Sequence, residues 1–248
     1  ALRATLDGFE DILIADLDFT KEDSYEQEVL FKELCIKPFN LKAISDKNQK
    51  GVVTISWNQA DFFFDNLDSY APFTLEPATP QCNWIYWDQD QDLTREIEGV
   101  SFPNAGGKMS FIVFNPQQSN PPLLYAEPSL RAYSGEQYLA SFANRSKPCR
   151  NFLFSPIMTF EGQTFFEFKV RSLTNASAPE RIRVGYTKVE YPKTEEDISW
   201  FTEEFTPSDK EWNKASYALP KEAKRAVLGH FSHNAFTIML DDLFVGED

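Results

Sequence analysis

Residues 164–171 read Thr-Phe-Phe-Glu-Phe-Lys-Val-Arg, which puts Phe166, Phe168 and Val170 on one side of an extended chain and Glu167, Lys169 and Arg171 on the other. A helix would spread these side chains around its circumference, whereas a half-buried antiparallel strand separates them into an apolar and a charged face. Residues 181–186 repeat the pattern with Ile182, Val184 and Tyr186 inward, and 25–31 set Val29 and Phe31 against Glu26 and Glu28. Helical signal is confined to a turn or two near 220–225. The alternation predicts an all-β chain.

Two other apolar runs carry acids: Phe-Phe-Phe-Asp-Asn-Leu-Asp-Ser-Tyr-Ala-Pro-Phe-Thr-Leu at 62–75 and Ile-Met-Leu-Asp-Asp-Leu-Phe-Val at 238–245. An apolar strand does not bury a carboxylate unless something compensates the charge. Two such strands far apart in sequence therefore predict one shared cation site, with Asp68, Asp241 and Glu136 as candidate oxygen donors for calcium. Within 236–245, Phe236, Ile238 and Leu240 hold one phase and Leu243 and Val245 the other. The slip at Asp241-Asp242 predicts a bulge, with one acid inward and its neighbour toward water. The alternative is a solvated edge carrying two acids.

Asp88-Gln89-Asp90-Gln91-Asp92 has the alternating acids of an EF-hand start, but Leu93 stands where that loop needs glycine and no glutamate follows at the twelfth position. Asp88 and Asp90 belong either to a second cation site or to a solvated acidic edge. Trp84, Tyr86 and Trp87 form the densest aromatic cluster, and strand geometry sends Trp87 to the face opposite Trp84 and Tyr86. Whichever face is open offers a ring for ligand stacking, and Trp87 is the candidate.

The net charge of −14 argues against nucleic acid and anionic membrane surfaces and favours divalent cations and basic partners. Cys35, Cys82 and Cys149 are odd in number and lack Cys-x-x-Cys spacing, so buried thiols are expected, with one disulfide as the alternative. His230 and His233, the two histidines, point to opposite faces of a strand and are not expected to chelate. No nucleophile elbow, phosphate loop, dinucleotide fingerprint or His-Glu-x-x-His occurs, which disfavours an enzyme; a glycosidase using paired acids is the alternative. No apolar run approaches the roughly 18 residues that span a bilayer, and no signal peptide precedes Ala1, so the chain is expected to be a soluble mature segment.

A proline-marked connection, a strand beginning near Lys37, a polar turn at 46–51 and a strand over 52–58 place a boundary at about residue 58. Residues 1–58 read as a partial β module, and 59–248 as the main domain, with Pro/Asn/Ser-rich connections at 115–122 and 144–150 suited to binding.

Several motifs then fall in order: 62–75, Trp84–Asp90, SFPNAGGKMSFIVFNP at 101–116, YSGEQYLASFA at 133–143, NFLFSPIMTF at 151–160, 180–187, and the terminal Leu-Asp-Asp-Leu. Together they resemble the cleaved-adhesin jelly roll, also called choice-of-anchor J, found in gingipain-type haemagglutinin-adhesin modules. Asp7-Gly8-Phe9-Glu10, Ala15-Asp16-Leu17 and 30–42 resemble the end of a carboxypeptidase-regulatory-like domain, and 40–58 a fibronectin-type strand pair. Two positions differ from the adhesin pattern: Leu67-Asp68 stands for Phe-Glu, and Asn151-Phe152-Leu153 for Asp-Trp-Leu. The resemblance implies a jelly-roll β-sandwich behind a short N-terminal β module. It further implies a non-catalytic, calcium-bearing, secreted or surface-anchored adhesin within a larger multidomain protein. Its partner would be a host surface or matrix protein or a glycan, without nucleic acid or membrane insertion. The alternatives are a carbohydrate-binding module and an accessory fragment of a larger surface hydrolase or protease.

Overall fold

The structure, a computed structural model, describes residues 62–77, 84–123, 128–158 and 162–247, together with the backbone of 2–4, 12–14, 39–45 and 53–58. The N-terminal strands β1 (Leu2–Ala4) and β2 (Ile12–Ile14) pair antiparallel, as do β3 (Phe39–Ser45) and β4 (Val53–Asn58). The second pair gives the two expected strands, and the expected turn at 46–51 lies outside the described residues. The expected strand at 25–31, Cys35 and Cys82 lie outside the described residues.

Eleven further strands follow: β5 (Phe62–Asp65), β6 (Ile85–Asp88), β7 (Ile112–Phe114), β8 (Tyr138–Phe142), β9 (Asn151–Phe154), β10 (Thr164–Ser172), β11 (Ile182–Thr187), β12 (Ile198–Trp200), β13 (Asn213–Ala218), β14 (Arg225–His230) and β15 (Thr237–Glu247). One sheet has the order β13-β10-β15-β8-β7, with β5 also paired to β15; the other has the order β12-β11-β14-β9-β6. All pairings are antiparallel, and the two sheets stack as a jelly-roll sandwich. The helical signal near 220–225 is a single turn closed by Ala223 N–H donating to the Pro220 carbonyl, after which Arg225 opens β14.

Phe166, Phe168 and Val170 of β10, Ile182 and Val184 of β11, Leu153 of β9 and Leu228 of β14 fill the space between the sheets, and Tyr186 packs half-buried against them. A second apolar cluster covers the opposite face of the first sheet. Loops carry Phe73, Phe102, Leu123 and Leu130 onto Ile112, Phe114, Tyr138, Phe142 and Met239. Ring centroids there lie 5.1 Å apart for Phe102–Phe114 and 5.5 Å for Phe73–Phe102. Because β8 is covered on both sides, it loses period-two alternation and is buried along its whole length.

Candidate functional site

The two acid-bearing runs are neighbours. β15 pairs through Thr237–Leu240 with β8, and then through Leu243–Gly246 with β5. Asp241-Asp242 is the hand-over point. Opposite β10, Lys169 faces Asp241 and Glu167 faces Phe244, so β15 carries an extra residue there. This is the expected bulge, with Asp242 at φ +47°. Asp241 is buried and Asp242 half-buried, but the buried carboxylate does not enter the inter-sheet core. It lies in phase with Met239, beneath the loop that follows Leu130.

That loop is bound by the acids through its N–H groups. Asp241 Oδ2 accepts from Tyr133 N at 2.8 Å and Ser134 N at 3.1 Å, and Asp241 Oδ1 accepts from Asp242 N at 2.8 Å. Ser134 Oγ donates to Asp242 Oδ1 at 2.6 Å. Burial pushes the Asp241 carboxyl up to about 7, against the lowering pull of its three backbone donors. Asp68 Oδ1 accepts from Glu136 N at 3.1 Å, and Gln137 Nε2 donates to the carbonyls of Leu67 and Tyr70. Gly135, at φ +57°, lies so close that a Cβ would land on the Asp68 carboxylate. Asp65 is buried and accepts from Leu67 N at 2.8 Å, Tyr70 Oη at 2.8 Å and Trp84 Nε1 at 3.2 Å. Burial raises its carboxyl above the usual range.

Asp68, Asp241 and Glu136 thus meet one loop, Glu136 through its backbone N–H and not its carboxylate. Among the described residues no three His, Cys, Asp or Glu side chains stand together. A calcium ion at this junction would therefore take most of its oxygens from backbone carbonyls and water. Asp88 and Asp90 belong to the other sheet and its loop. Asp88 Oδ1 accepts from Gln91 N, Asp90 Oδ2 from Arg150 N at 2.7 Å, and Asp92 Oδ2 from Ser146 N, Ser146 Oγ and Lys147 N. Here Asp90 and Asp92 tie the 88–92 segment to 146–150, while Asp88 closes a local turn. Cys149 is a free, buried thiol.

Of the three clustered aromatics, Trp84 is buried beside Asp65, Tyr86 packs into the main core, and Trp87 lies on the opposite face of its sheet. Period two does the same to every strand of that sheet, collecting Ile85, Trp87, Phe152, Phe154, Val227, Ile198 and Trp200 on one outer face. Trp87 sits 4.6 Å from Phe154, and Trp200 and Phe231 lie 5.6 Å apart, with Phe152 between the two ends. Arg150 stands over Phe231 at 5.6 Å and Arg183 over Trp200 at 4.9 Å. Gly185 and Gly229 form the floor, since a Cβ at either would strike the Trp200 ring or the adjacent Phe231 ring. Trp87, Trp200 and Phe231 are half-buried and keep part of each ring in water. Sequence reasoning found Trp87 but missed Trp200, Phe231 and the two arginines, whose only signal was the Ile198/Trp200 alternation.

A Ser-His-Glu constellation also forms. Ser141 Oγ and His230 Nδ1 are 2.9 Å apart, and His230 Nε2 lies 2.9 Å from Glu180 Oε2 and 2.8 Å from Ser232 Oγ. Its members are 0% exposed, and Asn151 Nδ2 donates to Ser141 Oγ at 3.2 Å. With no path for a substrate to the hydroxyl, the geometry makes it a polar tie between the sheets. His233 faces water, but from the bend that follows β14, so strand alternation does not place it.

The fold places the chain among jelly-roll sandwiches. No family model and no curated protein matches its sequence. Solved structures do: the K2 cleaved adhesin domain of Lys-gingipain superposes at a TM-score of 0.53 and 17% identity, covering 75% of this chain and 99% of that domain. The K1 cleaved adhesin domain of Lys-gingipain from Porphyromonas gingivalis W83 superposes at 0.52 and 15% identity, over 75% of this chain and 98% of that one. At these identities the likeness is one of fold. The resemblance of residues 1–58 to other modules has no counterpart among these matches. Among the described residues, no helix is long and apolar enough to cross a membrane.

Proposed function

We propose that the chain is a non-catalytic binding module of a secreted or surface-anchored multidomain protein, with residues 59–248 acting as an adhesin domain toward a host protein or glycan. The observation that carries this reading is the outer face of the five-stranded sheet, where Trp87, Trp200 and Phe231 keep ring surface in water beneath Arg150 and Arg183. Rings set in a rigid sheet bind without losing side-chain entropy, and arginines over them add hydrogen-bond donors at the rim. The adhesin fold of the similar gingipain domains supports the same reading. Structural calcium belongs to the proposal at the junction of Asp68, Asp241-Asp242 and the 133–136 loop, supported by the acidic balance of the chain and the convergence of both acid-bearing strands there.

The test is a glycan and matrix-protein array probed with the wild type and with Trp87→Ala and Arg183→Ala variants that melt like the wild type. Loss of a specific signal in both variants supports the reading. Binding unchanged in both, or hydrolysis of an arrayed substrate, overturns it. A glycan-only signal selects the carbohydrate-binding reading, which the stacked rings would serve equally well.

A further inference from the structure

At one end of the sandwich the chain lays three segments side by side. Thr94 forms a β-bridge with Asn144, Arg95 N–H donates to the Ala143 carbonyl, Arg145 N–H donates to the Leu93 carbonyl, and Ala143 N–H donates to the Phe236 carbonyl. This local ladder brings Arg95 and Arg145 together around a cavity of about 290 Å³ lined by Arg95, Glu96, Arg145 and Phe236. The two arginines are held differently. Arg145 Nε donates to the Thr94 carbonyl at 2.9 Å and its Nη2 to Glu96 Oε1 at 2.6 Å. Arg95 has its Nε buried without a hydrogen-bond partner among the described residues.

Arg95 lines the cavity and has no side-chain hydrogen-bond or ion-pair partner among the described residues, so its guanidinium can take up a ligand carboxylate there. The acceptor already present shows what the cavity takes. Glu96 places a carboxylate on Arg145, yet both side chains are about half exposed, at 54% and 45%, and such a surface pair holds weakly. It is an exchangeable occupant. Gly106 closes the site on the third side, where a Cβ at its φ of +69° would collide with the Glu96–Arg145 pair. The half-buried Phe236 ring supplies an apolar wall.

We propose that this cavity is a binding site for the carboxylate of an acidic saccharide, with Arg95 and Arg145 forking the carboxylate and the Phe236 ring facing the apolar side of a pyranose. The chain's net negative charge does not forbid it, because charges beyond a Debye length of about 8 Å are screened at physiological salt while the two arginines line the cavity itself. The site does not depend on the Trp87 face, and neither reading fails with the other.

The test titrates trigalacturonate, and maltotriose as its neutral counterpart, into the ¹⁵N-labelled 248-residue chain, following the amides of Arg95, Gly106 and Arg145. Saturable shifts with trigalacturonate alone are expected. Arg95→Gln should weaken binding about tenfold or more, the loss of one charged hydrogen bond, and Glu96→Gln should strengthen it by freeing Arg145. Melting curves establish that both variants fold. Absence of saturable shifts, equal binding of maltotriose, indifference to Arg95→Gln, or shifts produced only by an oligoglutamate peptide would each overturn the proposal.

Discussion

Ser141 on one sheet and His230 on the other meet at 2.9 Å between Oγ and Nδ1, the centre of a fully buried chain that runs on to Glu180. Glu180 Oε1 also accepts from Phe236 N at 2.7 Å, so its carboxylate joins β14 to the start of β15. Removing it leaves the Phe236 N–H without an acceptor and His230 Nε2 with Ser232 Oγ alone, in a site closed to water. Glu180→Ala should cost on the order of 3 kcal/mol, and Glu180→Gln, which keeps one acceptor, clearly less. Chemical denaturation measures both, and equal costs would mean that the carboxylate contributes shape alone.

Asp65 gathers three donors from Leu67, Tyr70 and Trp84 at the mouth of the main core. Asp65→Ala should destabilise by about 3 kcal/mol, because each buried donor left unpaired costs about 1 kcal/mol or more. The Trp84 indole should report the change by fluorescence at the same denaturant midpoint.

The pH dependence of Asp241 has a definite sign. Its folded carboxyl sits at about 7, above the ordinary 3.8, so the folded chain keeps a proton that the unfolded chain has released. Its contribution is full below about pH 4, falls with a slope of at most about 1.4 kcal/mol per pH unit, and is gone once the pH passes the folded value. In EDTA, the stability difference between the wild type and Asp241→Asn should therefore shift against the wild type between pH 4 and 7. A flat difference would show that the three backbone donors outweigh burial.

Calcium should stabilise the fold by selective binding to the native state, by about 2.7 kcal/mol at a hundredfold excess over Kd. Melting in EDTA and in millimolar calcium should differ by several degrees, with metal found by elemental analysis. In a double-mutant cycle, Asp68→Ala and Asp241→Ala should be strongly non-additive in calcium if both serve one ion. Identical melting curves and no bound metal would leave the acids as acceptors for the 133–136 loop alone.

Gly229→Ala tests the aromatic face. The added methyl meets the Phe231 and Trp200 rings, so those rings must turn away from their present packing. Ligand binding should fall while the far side of the sandwich keeps its amide spectrum. Unchanged binding would separate these rings from recognition.

Much of this protein is legible in one dimension. Strands β10 and β11 follow from period-two alternation, because a strand with one wet face must separate its side chains that way. The bulge at Asp241-Asp242 follows from a phase slip for the same reason. Strand geometry also sends Trp87 to the face opposite Trp84. Tertiary structure decided what each acid touches. That Asp68 and Asp241 also accept from N–H groups of a loop dozens of residues away leaves no local trace in the sequence. Ser141, Glu180 and His230 converge because β8, β14 and the segment leading into β11 meet at one level, and Arg95 and Arg145 line one cavity beside a bridge between distant segments. Periodicity encodes which side a residue faces; only the packing of strands distant in sequence determines its neighbour there.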